Sequence, residues 1–170
     1  MKKETPLFLL LLIFTLYSCV KPNDAPAGEL AINELMPVNS STATDQNGEY
    51  DDWIELYNLS AASLNISGYY LSDSKKNIYK WQIPYGTSIS GKSYLMIWAD
   101  EDTTQFGLHA NFKLSSSGET VVLSKPDGTL IDKVEYPAQT LELSYSRNPD
   151  GTGSFRWQKP TFNWTNNNVK

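Results

Sequence analysis

The sequence predicts an all-β fold, a sandwich or barrel of short strands, and three observations predict it. No stretch of the chain keeps a helical apolar period over a useful length. Short runs of β-branched and aromatic residues recur instead, and clusters of Gly, Pro, Asn, Asp and Ser separate them. Short strands at such spacing, punctuated by turn residues, belong to sandwiches and barrels.

In chain order the strand candidates are "ELAINELM" (29–36), "DWIELYN" (52–58), "LNISGYYLSD" (64–73) and "KWQIP" (80–84). They continue with "SYLMIWAD" (93–100), "ETVVLSK" (119–125), "TLIDKVEY" (129–136) and "ELSYSR" (142–147). Alternate side chains of a strand face opposite ways. Ile54 and Leu56 therefore form a core pair, with Trp53, Glu55 and Tyr57 on the other face, which is expected to be wet. By the same parity Leu95 and Ile97 point inward, Tyr94, Met96 and Trp98 point outward, and Tyr69 shares a face with Leu71. Parity breaks between Ile32 and Leu35 and between Leu130 and Ile131, and a β-bulge accounts for each break. "SKPDGTL" (124–130) reads as a hairpin connection, because Pro126 presets φ and Gly128 accepts a positive one. "DQNGEY" (45–50) carries Asn47-Gly48, a strong turn signal.

The ends of the chain set its surroundings. Residues 1–18 join two lysines to an apolar run from Leu7 to Leu16, the pattern of a secretory signal. That run is about half the ~20 residues a spanning helix needs. Leu16-Tyr17-Ser18-Cys19 resembles the bacterial lipobox, which implies cleavage before Cys19 and acylation of its thiol. Cys19 is the only cysteine, so no disulfide within the chain competes for it. Each buried methylene of the acyl chains contributes about 0.8 kcal/mol to anchoring. Residues 19–28 are polar and rich in proline, a tether that holds the domain on the order of 25–30 Å off the lipid. The expected division is signal 1–18, tether 19–28, sandwich 29–147 and a polar C-terminal tail 148–170, on which Trp164 is the candidate to dock. Cleavage leaves 152 residues with a formal charge of −6, enough for one domain. A pI near 4.8 without a basic cluster excludes nucleic acid as a default partner. The absence of an aspartate directly after Cys19 points to the outer membrane of a bacterial cell envelope, on lipoprotein analogy.

Seven of these stretches together carry a resemblance: "INELMP" (32–37), "DWIELYNLS" (52–60), "LNISGYYLSD" (64–73), "KWQIP" (80–84), "SYLMIWAD" (93–100), "LHANFKLSSSGETVVLSKPDG" (108–128) and "VEYPAQ" (134–139). In this order, over about two thirds of the chain, they resemble the lamin tail domain family and its bacterial members most. The resemblance implies an immunoglobulin-like β-sandwich and a non-enzymatic module of cell-surface proteins, with no catalytic residues to transfer. No heptad repeat accompanies it, so filament and nuclear roles do not transfer either.

Four residue groups are candidate sites. Asp45, Asn47, Asp51 and Asp52 surround Gly48 and offer oxygens for calcium, with Glu34 or Asp100 as ligands from a neighbouring loop. The EF-hand pattern fails, since its first and last positions fall on Ala43 and Ile54; the competing reading is an Asx-rich turn that bonds its own backbone. Asp52 and Glu55 are the nearest carboxylate pair for a small hydrolase, but an i, i+3 pair on a strand points to opposite faces. His109, the single histidine, has no second histidine or cysteine to build a zinc site and is expected to pack or hydrogen-bond. Trp53, Tyr57 and Trp98 are the candidate exposed aromatics for an envelope protein or glycan. The function expected from sequence is thus a lipid-anchored, non-catalytic binding or scaffold module, presenting loops or a sheet face. A calcium-stabilised domain and a hydrolase are its alternatives.

Overall fold

A computed structural model of the chain describes residues 28–139, 142–167 and 169. The signal, Cys19 and the tether up to residue 27 lie outside the described residues. The strands are β1 (Leu30–Met36), β2 (Trp53–Asn58), β3 (Leu64–Asn65), β4 (Tyr70–Ser72), β5 (Trp81–Gln82), β6 (Ser88–Ile89), β7 (Tyr94–Ala99), β8 (His109–Ala110), β9 (Gly118–Ser124), β10 (Leu130–Pro137), β11 (Ser144–Asn148) and β12 (Ser154–Gln158). They form a six-stranded sheet in the order β12-β11-β1-β2-β7-β8, a four-stranded sheet β10-β9-β4-β5 and a small β3-β6 pair. The fold is the expected all-β sandwich.

Its core follows the predicted parity. Ile54, Leu56 and Ile97 of the large sheet meet Leu71, Val121, Leu123 and Val134 of the smaller one, with Ile66, Ile83 and Phe112 filling between. Both expected bulges are present. The β1–β2 register shifts between Ile32 and Glu34, so Ile32 and Leu35 both reach the core. The β10–β9 register shifts between Leu130 and Asp132. The β9–β10 connection turns where Gly128 sits at φ 84° and Lys125 N–H donates to Thr129 O at 2.9 Å.

The β1 bulge is locked by a buried ion pair. Asp132 on β10 accepts Ile32 N–H at 2.9 Å, and Arg147 on β11 donates to both Asp132 oxygens at 3.0 and 3.1 Å. Arg147 Nε also donates to Ile32 O at 3.0 Å. The pair thereby ties the centre of the large sheet to the edge strand of the other. Burial raises the Asp132 pKa and the Arg147 charge opposes that rise.

Beyond residue 148 the structure departs from the sequence expectation of a polar tail. β12 pairs with β11, stacking Phe155 on Tyr145 at 5.2 Å and setting Trp157 tilted against it at 5.0 Å. The segment after β12 then folds back over the outer face of the large sheet. Phe162, not Trp164, is the docking ring: its centroid lies 5.4 Å from Trp53 and 5.5 Å from Trp98. Trp164 stays 72% exposed. Trp53 and Trp98, expected to be exposed, are therefore buried with Met36 in a second apolar cluster. Tyr57 is half-buried, its ring 5.0 Å from that of Tyr94.

Glu55 is corrected for the same reason: it faces outward from the core, as parity requires, but it is not wet. It is fully buried beneath this strap, accepting Asn33 Nδ2 at 2.8 Å and Asn163 N–H at 2.9 Å. Glu34, its register partner on β1, accepts Thr161 N–H at 3.0 Å and Thr161 Oγ1–H at 2.6 Å. Burial, and next the charge of Glu34, push the Glu55 pKa up to about 9. Burial raises Glu34 as well, against hydrogen bonds from Ser144 and Thr161.

Two outcomes are expected. Asp132→Ala leaves Arg147 buried without its carboxylate and lowers unfolding free energy by about 3–5 kcal/mol in urea titrations. Glu55 keeps its proton in the folded chain up to about pH 9 but loses it near pH 4.5 when unfolded. Its contribution is full below the lower value and is lost as pH rises to the upper one, by up to about 1.4 kcal/mol per unit. Stability measured across that window falls less steeply in Glu55→Gln than in the parent.

Candidate functional site: an acidic corner

The β1–β2 loop, the end of β7 and the start of β8 meet at one corner of the sandwich. Asp45 opens an Asx turn: its Oδ1 accepts Asn47 N–H at 2.9 Å and Glu49 N–H at 2.8 Å, while Gly48 takes φ 85°. Asn39 braces the same loop by donating to Ala43 O at 2.6 Å and Asp51 O at 2.9 Å. Opposite, Asp100 ends β7 and His109 starts β8, which runs parallel to β7 with His109 level with Trp98. His109 Nδ1 lies 2.5 Å from Asp100 Oδ2, and both side chains are almost wholly buried.

Residues 101–108 loop between these strands without slack. Asp100 Oδ1 accepts Asp102 N–H at 2.9 Å, and Asp102 Oδ1 accepts Thr104 Oγ1–H at 2.8 Å. Gln105 Nε2 donates to Asp102 at 2.9 Å and across to Glu49 at 2.9 Å, joining the two loops. Gly107 at φ 124° lets the chain pass close to His109 and Gln46, where an added Cβ would stand 3.2 Å from each. Two aromatic rings project from the joined loops, Tyr50 at 51% and Phe106 at 88% exposure.

The structure divides the predicted calcium ligands. Asp45 and Asp51 come together with Glu49, carboxylate oxygens within 4.8 Å of one another. Asp45 also lies within 4.8 Å of donor atoms on Asp100 and His109. Asn47 serves the Asx turn through its backbone N–H. Asp52 points elsewhere and accepts Leu114 N–H at 3.1 Å; burial pushes its pKa up to about 7. Asp51 is raised too, by burial first and then by the charges of Asp100, Asp45 and Glu49. The hydrolase pair does not converge: Asp52 bonds the backbone before β9 and Glu55 lies under the C-terminal strap.

Sequence comparison places this geometry. The family model described as Lamin Tail Domain matches residues 23–138. The chain belongs to the lamin tail domain family. No curated protein matches it. The lamin tail domain is a non-enzymatic immunoglobulin-like fold, consistent with a module that binds or scaffolds. In this lamin tail domain the acidic corner is built partly from residues the sequence did not assign to it. Glu49 is one of them. Asp100 entered only as an auxiliary ligand, and His109 as a hydrogen-bonding residue, which its contact with Asp100 supports. What hid the corner is the parallel β7–β8 pairing across a short loop, for which alternation along either strand gives no signal. Phe106, one hydrophobic residue in a polar loop, carried no periodicity either.

Asp52 thus has a local structural role, and its loss is measurable. Asp52→Ala removes the acceptor for Leu114 N–H and is expected to cost about 1–3 kcal/mol by chemical denaturation.

Proposed function

We propose that this lamin tail domain is a non-catalytic binding module of the bacterial cell envelope, anchored through an acylated Cys19 and presenting its loops to an envelope protein or glycan. The anchor reading is supported by the sequence alone: the short apolar run, the Leu16-Tyr17-Ser18-Cys19 stretch and the single cysteine. Outer-membrane placement is supported by Val20, where retention at the inner membrane would favour aspartate.

One observation carries the choice of loops over a sheet face. The outer face of the large sheet is occupied by the chain's own strap, whereas Phe106 stands 88% exposed on a loop braced from several sides. An apolar ring held in water by a rigid loop is preorganised to fill a partner's pocket, because little further ordering is needed on binding. Tyr50 adds a second ring, and the carboxylates of Glu49 and Asp102 beside it favour a partner with basic groups at its rim.

The expected result is saturable binding of the purified full-length protein to envelope material, tested separately on peptidoglycan sacculi and on envelope protein fractions. Phe106→Ala is expected to weaken that binding by about tenfold or more, the loss of one aromatic hot spot, with the melting temperature unchanged. Absence of saturable binding in both arms, or equal binding by the variant, would sink the reading.

A further inference from the structure

The acidic corner holds an electrostatic imbalance that the binding role does not use. Every polar atom paired with the His109 ring is an oxygen. Nδ1 faces Asp100 Oδ2 at 2.5 Å, and Nε2 faces Phe106 O at 3.2 Å and Gln46 Oε1 at 3.3 Å. Beside the ring stands Asp45, 8% exposed. Its Oδ1 is committed to the Asx turn, and its Oδ2 is buried with no hydrogen-bond partner among the described residues. Leaving such an oxygen unpaired is unfavourable, and more so when it is charged. Among the described residues no lysine or arginine forms an ion pair with Asp45, Asp51 or Asp100.

We propose that Asp45, Asp100 and His109 form a binding site for a divalent transition-metal ion of the zinc and manganese class. The three residues are buried, come from three separate segments, and each brings a donor atom within 4.8 Å of the others. Each is fixed before any ion arrives: Asp45 by its turn, Asp100 by Asp102 N–H, and His109 by its β-pairing with Trp98. The orphaned Asp45 oxygen is the second and independent sign, since a cation supplies the positive partner that the surrounding oxygens lack. The imidazole selects the metal. Calcium takes six to eight oxygens, whereas a histidine nitrogen with carboxylates suits first-row transition ions. Glu49 and Asp51, clustered on the same Asp45, add negative charge at the rim. This inference is independent of whether the loops bind an envelope partner.

The test is metal content and melting temperature of the purified full-length protein, stripped with chelator and then dialysed against zinc, manganese or calcium chloride. One equivalent of zinc or manganese per chain is expected, with a raised melting temperature and no equivalent retention of calcium. Asp45→Asn keeps the Oδ1 acceptor of the turn and should weaken metal affinity by roughly 10–100-fold, as should His109→Asn. Failure of the parent protein to retain either ion would overturn the site and leave His109 as a hydrogen-bonding partner of Asp100. Undiminished affinity in both variants would overturn the ligand assignment. Calcium retained as strongly as zinc would overturn the choice of metal.

Discussion

The sandwich depends most on one buried contact, the Asp132–Arg147 pair at the β1 bulge. The bulge lets Ile32 and Leu35 both enter the core, while the β11 pairing covers only Glu34 and Leu35, so the Ile32 amide is met by a side chain instead of a strand. Asp132 accepts that N–H and Arg147 binds the carbonyl of the same residue. An unpaired buried backbone group costs about as much as a lost hydrogen bond, so the bulge is tolerable only with both partners in place. The partners come from different sheets, and the pair that repairs the bulge therefore also registers one layer against the other.

A second constraint shapes the outer face of the large sheet. Trp53 and Trp98 present too much apolar area to leave in water, and the C-terminal strap covers it with Phe162. The covering segment also passes over Glu34 and Glu55. Its backbone amides at Thr161 and Asn163 meet the two carboxyls, and burial favours their neutral form. Acids that read as a solvated row are thus part of a polar seam beneath a docked segment. With this part of the face closed, Trp53 and Trp98 are withdrawn from any partner.

At the acidic corner the same physics runs the other way. Glu34 and Glu55 are met by donors from the strap, whereas Asp45, Asp100 and His109 gather oxygens around a nitrogen ring and leave one oxygen unmet. The difference is one of supply. The strap brings backbone N–H groups to its acids, while the corner loops spend theirs on the Asx turn and on Asp100. What sets this bare oxygen apart from other unpaired buried atoms, such as Asp73 Oδ1, is the neighbouring histidine and second carboxylate, which make the corner the place to look for a ligand.

Alternation and turn chemistry in the sequence alone determined the all-β class, the inward residues of β2, β4 and β7 and the β9–β10 hairpin; they showed that parity breaks in β1 and β10, and the tertiary pairing placed the two bulges. These depend on local backbone geometry, which each residue carries with it. The order of seven recurring stretches determined the family. Local rules state which way a side chain points, but not what lies opposite. That is why Trp53 and Trp98 were given the right face and the wrong environment, and why Glu55 was taken for a surface acid. Only the tertiary structure decided that residues 154–158 add a strand, that Phe162 closes the outer face, and that Asp45 meets His109 across 64 positions of chain. Such contacts join segments far apart in sequence, where the periodicity of neither segment records the other.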